Sequence, residues 1–540
     1  MKKIHAILFI VVCIVVGNII YFYPKSNFSP APTLWNVGSG WGRYYIIEHG
    51  RIPEKVHALT WQSGIKNYAT VDVLPKILAS IVNIVTGTTT FPDNERFHYI
   101  FPWCGILFLP LVVLYFYRYI SRKEGGFSYM DCCLLYLFAM FPLAGTIFSM
   151  SQNLNNGSSV TRVFFLLLLI LLAILFVEKK KDVRRLSIFL FLLFPFFYYY
   201  HTWAYYLAIY LTAIAFLTFL KKNERYIMSL LIFGIVVFFT SATYYNHQLL
   251  EEPVTIIRSF PQLLVNFPSV SYTMKVNPEL LGYRSLKSTY SFLQLINSVL
   301  ILSLCLVFFR KYLEFRKKGE LEPYEKMLFY FLVAQFFVGC ALFVWDGILG
   351  VYSRIFEVLV YIAMLISAYL LVKSKGKLKF AIRSILLFAV LLCIVSYLTS
   401  PQDFNWFLTH EEFKGVSFAG EHIPKESYIF SDFRLDTSLT YFGQLGIKTI
   451  ESTHHPPEIT EEILKKCYYN VTRPERILDK IINRSSYYVV TSSRQSEIGI
   501  LDPSLRIFRP ASANFQEKWA RESSFNEVYS SGYFHLYQRL

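Results

Sequence analysis

Arg43, Glu48 and His49 lie within one short stretch, WNVGSGWGRYYIIEHGRIP (35–53), and Asp72 heads a second stretch, VDVLPKILASIVNIVTG (71–87). A carboxylate such as Glu48 or Asp72 beside an acceptor hydroxyl can take its proton as a general base. Arg162 and Arg354 stand at the ends of apolar segments. Their guanidinium groups carry permanent charge and a planar fork that pairs bidentately with phosphate. His201 and Trp203 fall in YYYHTWAYY (198–206), whose flat ring faces suit a sugar or a lipid chain. Asp93, Glu95, Asp346 and Glu357 add further polar groups. Each residue has an ordinary alternative: arginines snorkel to headgroups, Trp and Tyr form interfacial belts, and acids solvate or cap surface helices. Coincidence on one membrane face is what suggests a site, one built for a phosphate-bearing, partly apolar ligand.

The elements that must position these groups are membrane spans. In 540 residues, 54% are hydrophobic and only 17% charged, which excludes a chain of ordinary soluble domains. Apolar runs long enough to cross about 30 Å of hydrocarbon recur near 5–22, 98–118, 130–150, 160–177, 186–201, 203–220, 226–245, 291–309, 327–345, 355–372 and 380–398. This pattern predicts an all-α polytopic domain of about eleven transmembrane helices over 1–400. Basic residues gather in every second connection, notably EKKKDVRR (178–185), RKYLEFRKKGELEPYEK (310–326) and KSKGKLK (373–379), which hold much of the formal +16 charge. The positive-inside rule then places the N-terminus in the cytoplasm and the C-terminal domain outside. The basic balance reports topology, with no nucleic-acid partner. Two large outer loops follow, 23–97 and 246–290, the first with amphipathic stretches expected to lie as helices in the interface with membrane lipids. The first apolar run lacks a small-residue cleavage site and reads as a retained anchor. Seven of the eight cysteines lie in or beside spans and only Cys467 lies in the tail, so no internal disulfide is expected outside.

From about Pro401 to 540 the chain reads as a small α/β or α+β extracytoplasmic domain. Strands are expected at 426–432, 447–452 and 486–493, helices at 436–446, 458–468 and 473–483, and a terminal strand pair at 528–539 about a Ser-Gly turn. Thr472 with Glu475 suggests a capping box. Asn-x-Ser/Thr patterns at Asn156, Asn470 and Asn483 all map to the outer side. GxGxxG, P-loop, HExxH and GxSxG motifs are absent. His454-His455 before two prolines reads as a polar loop.

Taken together, the long first outer loop running into IIEHGRIP, the span after HTWAYY, the Arg opening YSRIFEVLVYIAMLISAYLL and the final VYSSGYFHLYQR hairpin resemble the C-type (GT-C) superfamily of polytopic membrane glycosyltransferases, in its prokaryotic or archaeal-type form. The resemblance implies transfer of a sugar from a polyprenyl-phosphate-linked donor to a glycan, lipid or protein acceptor on the outer face. In that superfamily an Asp usually stands soon after the first span, as base or metal ligand. Here TLWNVGSGWG (33–42) holds no acid. Glu48 or Asp72 is therefore the expected substitute base, with Arg43, His49, Arg162, His201, Trp203 and Arg354 binding substrate. A divalent metal is possible and no motif indicates one, so the cofactor stays unknown. The alternative is a catalytically inactive protein on the same fold that binds or assembles lipid-linked glycans.

Overall fold

The computed structural model describes residues 7, 9, 11, 12, 46, 47, 49–51, 55–59, 65–69, 73–87, 107–140, 158–178, 183–199, 201–219, 225–244, 281–349, 355–399, 409–424, 427–432, 435, 439, 448–451, 457–484, 486–497, 500–502, 507–509, 511, 512 and 514–540. The chain divides into two compact units, one of residues 1–23, 71–75 and 98–403, the other of 24–70, 76–97 and 404–540.

In the first loop, β1 (Lys55–Leu59) pairs antiparallel with β2 (Ile65–Ala69). This hairpin was not legible in the sequence, since KVHAL and IKNYA are too short and mixed to stand out. The expected amphipathic helix forms as α1 (Val73–Thr86). Leu78, Ile81, Ile84 and Val85 are exposed on it while Ser80 and Asn83 are buried. That is the reverse of a soluble helix and the arrangement a helix needs to rest on lipid.

The helical unit consists of α2 (Leu109–Glu124), α3 (Tyr129–Met140), α4 (Ser158–Glu178), α5 (Val183–Tyr199), α6 (His201–Phe219), α7 (Arg225–Tyr244), α8 (Leu281–Lys318), α9 (Pro323–Leu349), α10 (Ile355–Lys373) and α11 (Gly376–Thr399). Each overlaps an expected apolar run. Among the described residues three helices are long and apolar enough to cross a membrane, Thr161–Glu178, Ile296–Lys318 and Gly376–Val395. Residues 141–157, which complete the third run, lie outside the described residues. α4 is apolar all round and buried all round, as a central helix must be. It packs against α2, α5, α6 and α9. α6 and α7 approach closely at Gly234, where a Cβ would stand 2.7 Å from Leu211 Cδ1. The sequence limits α8 to an apolar run at 291–309, but the helix continues through the basic segment to Lys318. Its Arg, Lys, Leu and Glu residues are good helix formers, and at 1.5 Å per residue α8 is about 57 Å long.

The second unit carries the expected strands and several elements the sequence did not show. α12 (His410–His422) opens on Thr409 with a complete capping box to Glu412. β3 (Tyr428–Ser431) and β4 (Lys448–Glu451) pair parallel. After α13 (Pro457–Ile463), a π-helical turn Leu464–Tyr469 and α14 (Glu475–Ile482), β5 (Tyr488–Ser492) pairs parallel with β3 on its other side. The short α15 (Arg494–Glu497), the hairpin β6 (Ile500–Asp502) and β7 (Ile507–Arg509), and α16 (Phe515–Ala520) lead to β8 (Phe525–Ser530) and β9 (Phe534–Arg539). The five-stranded order is β4-β3-β5-β9-β8, with β9 antiparallel to both neighbours. Of the helix expected at 436–446, only Leu439 is described, helical and buried like Leu435.

The capping box read at Thr472 and Glu475 does not form. Arg473 takes φ +46°, the Thr472 amide donates to Lys466 O, and α14 starts from Pro474. Proline, with φ fixed near −65°, supplies the helical start instead. The box that does form, at Thr409 and Glu412, makes the Glu412 side chain a structural centre. Its carboxylate is fully buried, accepts from the Thr409 amide at 2.9 Å and the Ser492 hydroxyl, and lies 3.7 Å from Arg494. α12 is thereby tied to the end of β5.

Candidate functional site

Arg162 lies in the first turns of α4, 4% exposed, with its guanidinium carbon 5.7 Å from the centroid of Trp203 on α6. Trp203 is itself buried, edge-on to Phe165 of α4 (5.1 Å), Tyr206 of α6 (5.2 Å) and Tyr361 of α10 (5.5 Å). Three helices therefore fix one aromatic face against one guanidinium. A cation–π contact of this kind, out of water, contributes up to about 2 kcal/mol. Charge at this position adds to the positive end of the α4 macrodipole, so guanidinium and helix end together favour an anion. One turn deeper, Phe165 also packs on Tyr210, whose hydroxyl donates to Gln335 Oε1 of α9 at 2.5 Å. This buried hydrogen bond holds α6 to α9 beneath the Arg162 end.

Arg162 and Trp203 are the two proposed site residues that the structure brings together. His201 is in the first turn of α6, and its side chain lies outside the described residues. His49 is exposed at the end of a helical segment of the second unit. Arg43, Glu48, Asp72 and Arg354 lie outside the described residues. Among the described residues no group of three His, Cys, Asp or Glu is placed to hold a metal ion.

Sequence reasoning passed over a second polar constellation, at the end of the bundle where the basic connections gather. Asp131, in the first turn of α3, is fully buried. Its Oδ2 is 2.8 Å from Lys379 Nζ and its Oδ1 2.8 Å from Arg383 Nε, both on α11, and the Tyr117 hydroxyl of α2 donates to it at 3.3 Å. Beside it Glu124, at the end of α2, pairs with Lys373 of α10 at 2.6 Å and accepts from Tyr324 of α9. Burial raises the Glu124 pKa, but the bonds from Lys373 and Tyr324 outweigh it and leave the group below its ordinary value. Glu325, buried at the start of α9, accepts from Tyr369 of α10 at 2.6 Å; burial raises its pKa despite that bond. The signal was present in the sequence: one acid, Asp131, inside an apolar run and one base, Arg383, inside another, each affordable only with a partner.

Compared with solved structures, the chain matches the oligosaccharyltransferase of Archaeoglobus fulgidus. The form tethered to an acceptor peptide with an NVT sequon aligns over 92% of this chain and 70% of that one, at 11% identity and TM-score 0.56. The complex with zinc and sulfate aligns over 90% and 68%, at 12% identity and TM-score 0.57. The complex with an inhibitory peptide and a dolichol-phosphate aligns over 99% and 74%, at 10% identity and TM-score 0.54. The fold of this chain is that of the oligosaccharyltransferase structures. No protein-family model and no curated protein matches the chain in sequence. The shared fold is thus carried here by packing and hydropathy pattern, which tolerate nearly complete change of side chains.

Proposed function

We propose that this chain is a membrane glycosyltransferase that moves a sugar from a polyprenyl-phosphate-linked donor to an acceptor on the extracytoplasmic face. The observation that carries the reading is the buried Arg162–Trp203 pair at a helix N-terminus, set in a fold shared with a protein solved with dolichol-phosphate. The acceptor atom attacks the anomeric carbon, the bond from that carbon to the phosphate oxygen breaks, and the configuration inverts. Glu48 or Asp72 takes the acceptor proton. Arg162, with Arg354, neutralises the phosphate as it leaves, and Trp203 holds the Arg162 fork in place. Arg43, His49 and His201 complete the substrate contacts, and the outer domain receives a glycan, lipid or protein acceptor.

A second reading, a lipid-linked-glycan binding or assembly protein without turnover, is favoured by one fact: TLWNVGSGWG (33–42) lacks the early acid usual in GT-C enzymes. One experiment separates the two. Mass spectrometry of surface glycans and lipid-linked oligosaccharides is run on a strain lacking the gene and on one carrying Glu48→Gln with Asp72→Asn. Glycans shortened by the same sugar in both strains are expected. Glycans shortened in the deletion alone would remove these acids as the base, and glycans unchanged in both would remove the transferase reading.

A further inference from the structure

We infer that Asn470 and Asn483 are themselves acceptors of N-linked saccharide, so that this chain is a glycoprotein on the face where its second unit lies. The chain contains four Asn-x-Ser/Thr sequons, Asn27-Phe28-Ser29, Asn156-Gly157-Ser158, Asn470-Val471-Thr472 and Asn483-Arg484-Ser485. All four fall in segments that the basic-residue pattern assigns to the outer side. Asn27 and Asn156 lie outside the described residues, so the argument rests on the other two.

Both asparagines stand where a glycan can be carried without unfolding. Asn470 closes the π-helical turn and Asn483 closes α14, and both are exposed. Neither carboxamide enters a hydrogen bond among the described residues. Only their backbone amides are used, donating to Lys465 O at 2.8 Å and Asp479 O at 3.0 Å. Thr472, whose hydroxyl completes the first sequon, is exposed, as is Arg484 at the middle of the second. α14 between them buries Ile477, Leu478 and Ile482 and leaves Arg476 and Lys480 outward. At 1.5 Å per residue the two positions are separated by a helix about 12 Å long, so two glycans would flank one charged surface.

A conformational role explains Asn483 in part, because it takes φ +49°, a region Asn tolerates better than most residues. It does not explain Asn470, whose φ is −129°, nor the hydroxyl two residues on. In the folded unit Val471 is buried and the Thr472 amide is tied to Lys466 O. The sugar at Asn470 is therefore added before that turn closes, whereas Asn483-Arg484 stays accessible afterwards. In the transfer the carboxamide nitrogen bonds to the anomeric carbon of a lipid-phosphate- or lipid-diphosphate-linked saccharide. The carbon–oxygen bond to phosphate breaks, the lipid phosphate leaves with that electron pair, and one N–H proton passes to a base of the transferring enzyme.

The test is glycopeptide mass spectrometry of the full-length protein purified from its native membranes. Peptides carrying Asn470 and Asn483 are expected to show saccharide mass increments. Thr472→Ala should abolish the increment at Asn470 and leave that at Asn483, and Ser485→Ala should do the reverse; both keep the asparagine and so its backbone role. Peptides found only at their unmodified masses, or increments that survive loss of the hydroxyl, would overturn the inference. The readout is independent of this chain's own turnover, since any enzyme facing that side can add the sugar.

Discussion

Arg162 offers the sharpest test of the site. Arg162→Lys keeps the charge but exchanges a planar fork for a point charge, forfeiting one of two parallel bonds to phosphate. A hydrogen bond to a charged group contributes about 1.5–3 kcal/mol, which at 1.4 kcal/mol per tenfold weakens lipid-phosphate binding roughly 10- to 150-fold. Arg162→Met removes the charge altogether while filling similar volume among Trp203 and Phe165. The Met variant should bind lipid phosphate at least as poorly as the Lys variant. Trp203→Phe keeps a ring but a weaker one, and costs a few-fold, about 0.5–1 kcal/mol. The assay is titration of polyprenyl phosphate into full-length protein in nanodiscs, read by native mass spectrometry, with thermal melts in parallel. If Arg162→Lys and Arg162→Met both bind within about twofold of wild type, the guanidinium is a packing element and the phosphate assignment fails.

Three further outcomes follow from the packing. Asp131→Asn leaves Lys379 and Arg383 facing one another without their shared carboxylate, and should cost about 3–5 kcal/mol of stability in melts of the reconstituted protein; an unchanged melt would show the cluster to be dispensable. Gly415→Ala sets a Cβ 2.2 Å from Phe534 Cδ1, against the face of a fully buried ring. The helix propensity of alanine offsets about 1 kcal/mol, so a net loss of about 1–2 kcal/mol is expected in denaturant titration of the full chain, and a gain would contradict the close approach. Glu124 has a depressed pKa, so its contribution is present above the ordinary carboxylate range and is lost as pH falls through the folded value. Melting temperature should thus drop on acidification below about pH 4.5 in wild type and less steeply in Glu124→Gln; parallel curves would exclude the Glu124–Lys373 pair as the source.

Much of the architecture was readable because its determinants are local. Length and hydropathy place the helices, and β-branched and aromatic runs place β3, β4, β5 and the β8–β9 pair within two or three residues. What stayed hidden depends on distant partners. The Thr409–Glu412 box matters because Ser492 of β5 and Arg494 of α15 arrive from some eighty residues away. Asp131 reads as an anomaly until Lys379 and Arg383 are brought beside it by α11. The false capping box at Thr472 has the right letters, but a positive φ at Arg473 and the ring of Pro474 settle the helix start. Arg162 and Trp203 could be singled out in the sequence because each stands near a span end, although snorkelling and an aromatic belt account for such residues equally well. Their contact is tertiary and was not legible.

The ion pairs at the basic end have a mechanical consequence. Asp131 joins α3 to α11 with α2 leaning on the pair, Glu124 joins α2 to α9 and α10, and Glu325 joins α9 to α10 again. Five helices are riveted at one rim by partners that hold only in a fixed geometry. Toward the other end of the bundle, α4 and α6 meet through Arg162 and Trp203. A bundle pinned in this way keeps the register of these five helices at the basic rim. Exchange of a ligand at the proposed Arg162 site would leave the helix register at the pinned rim unchanged.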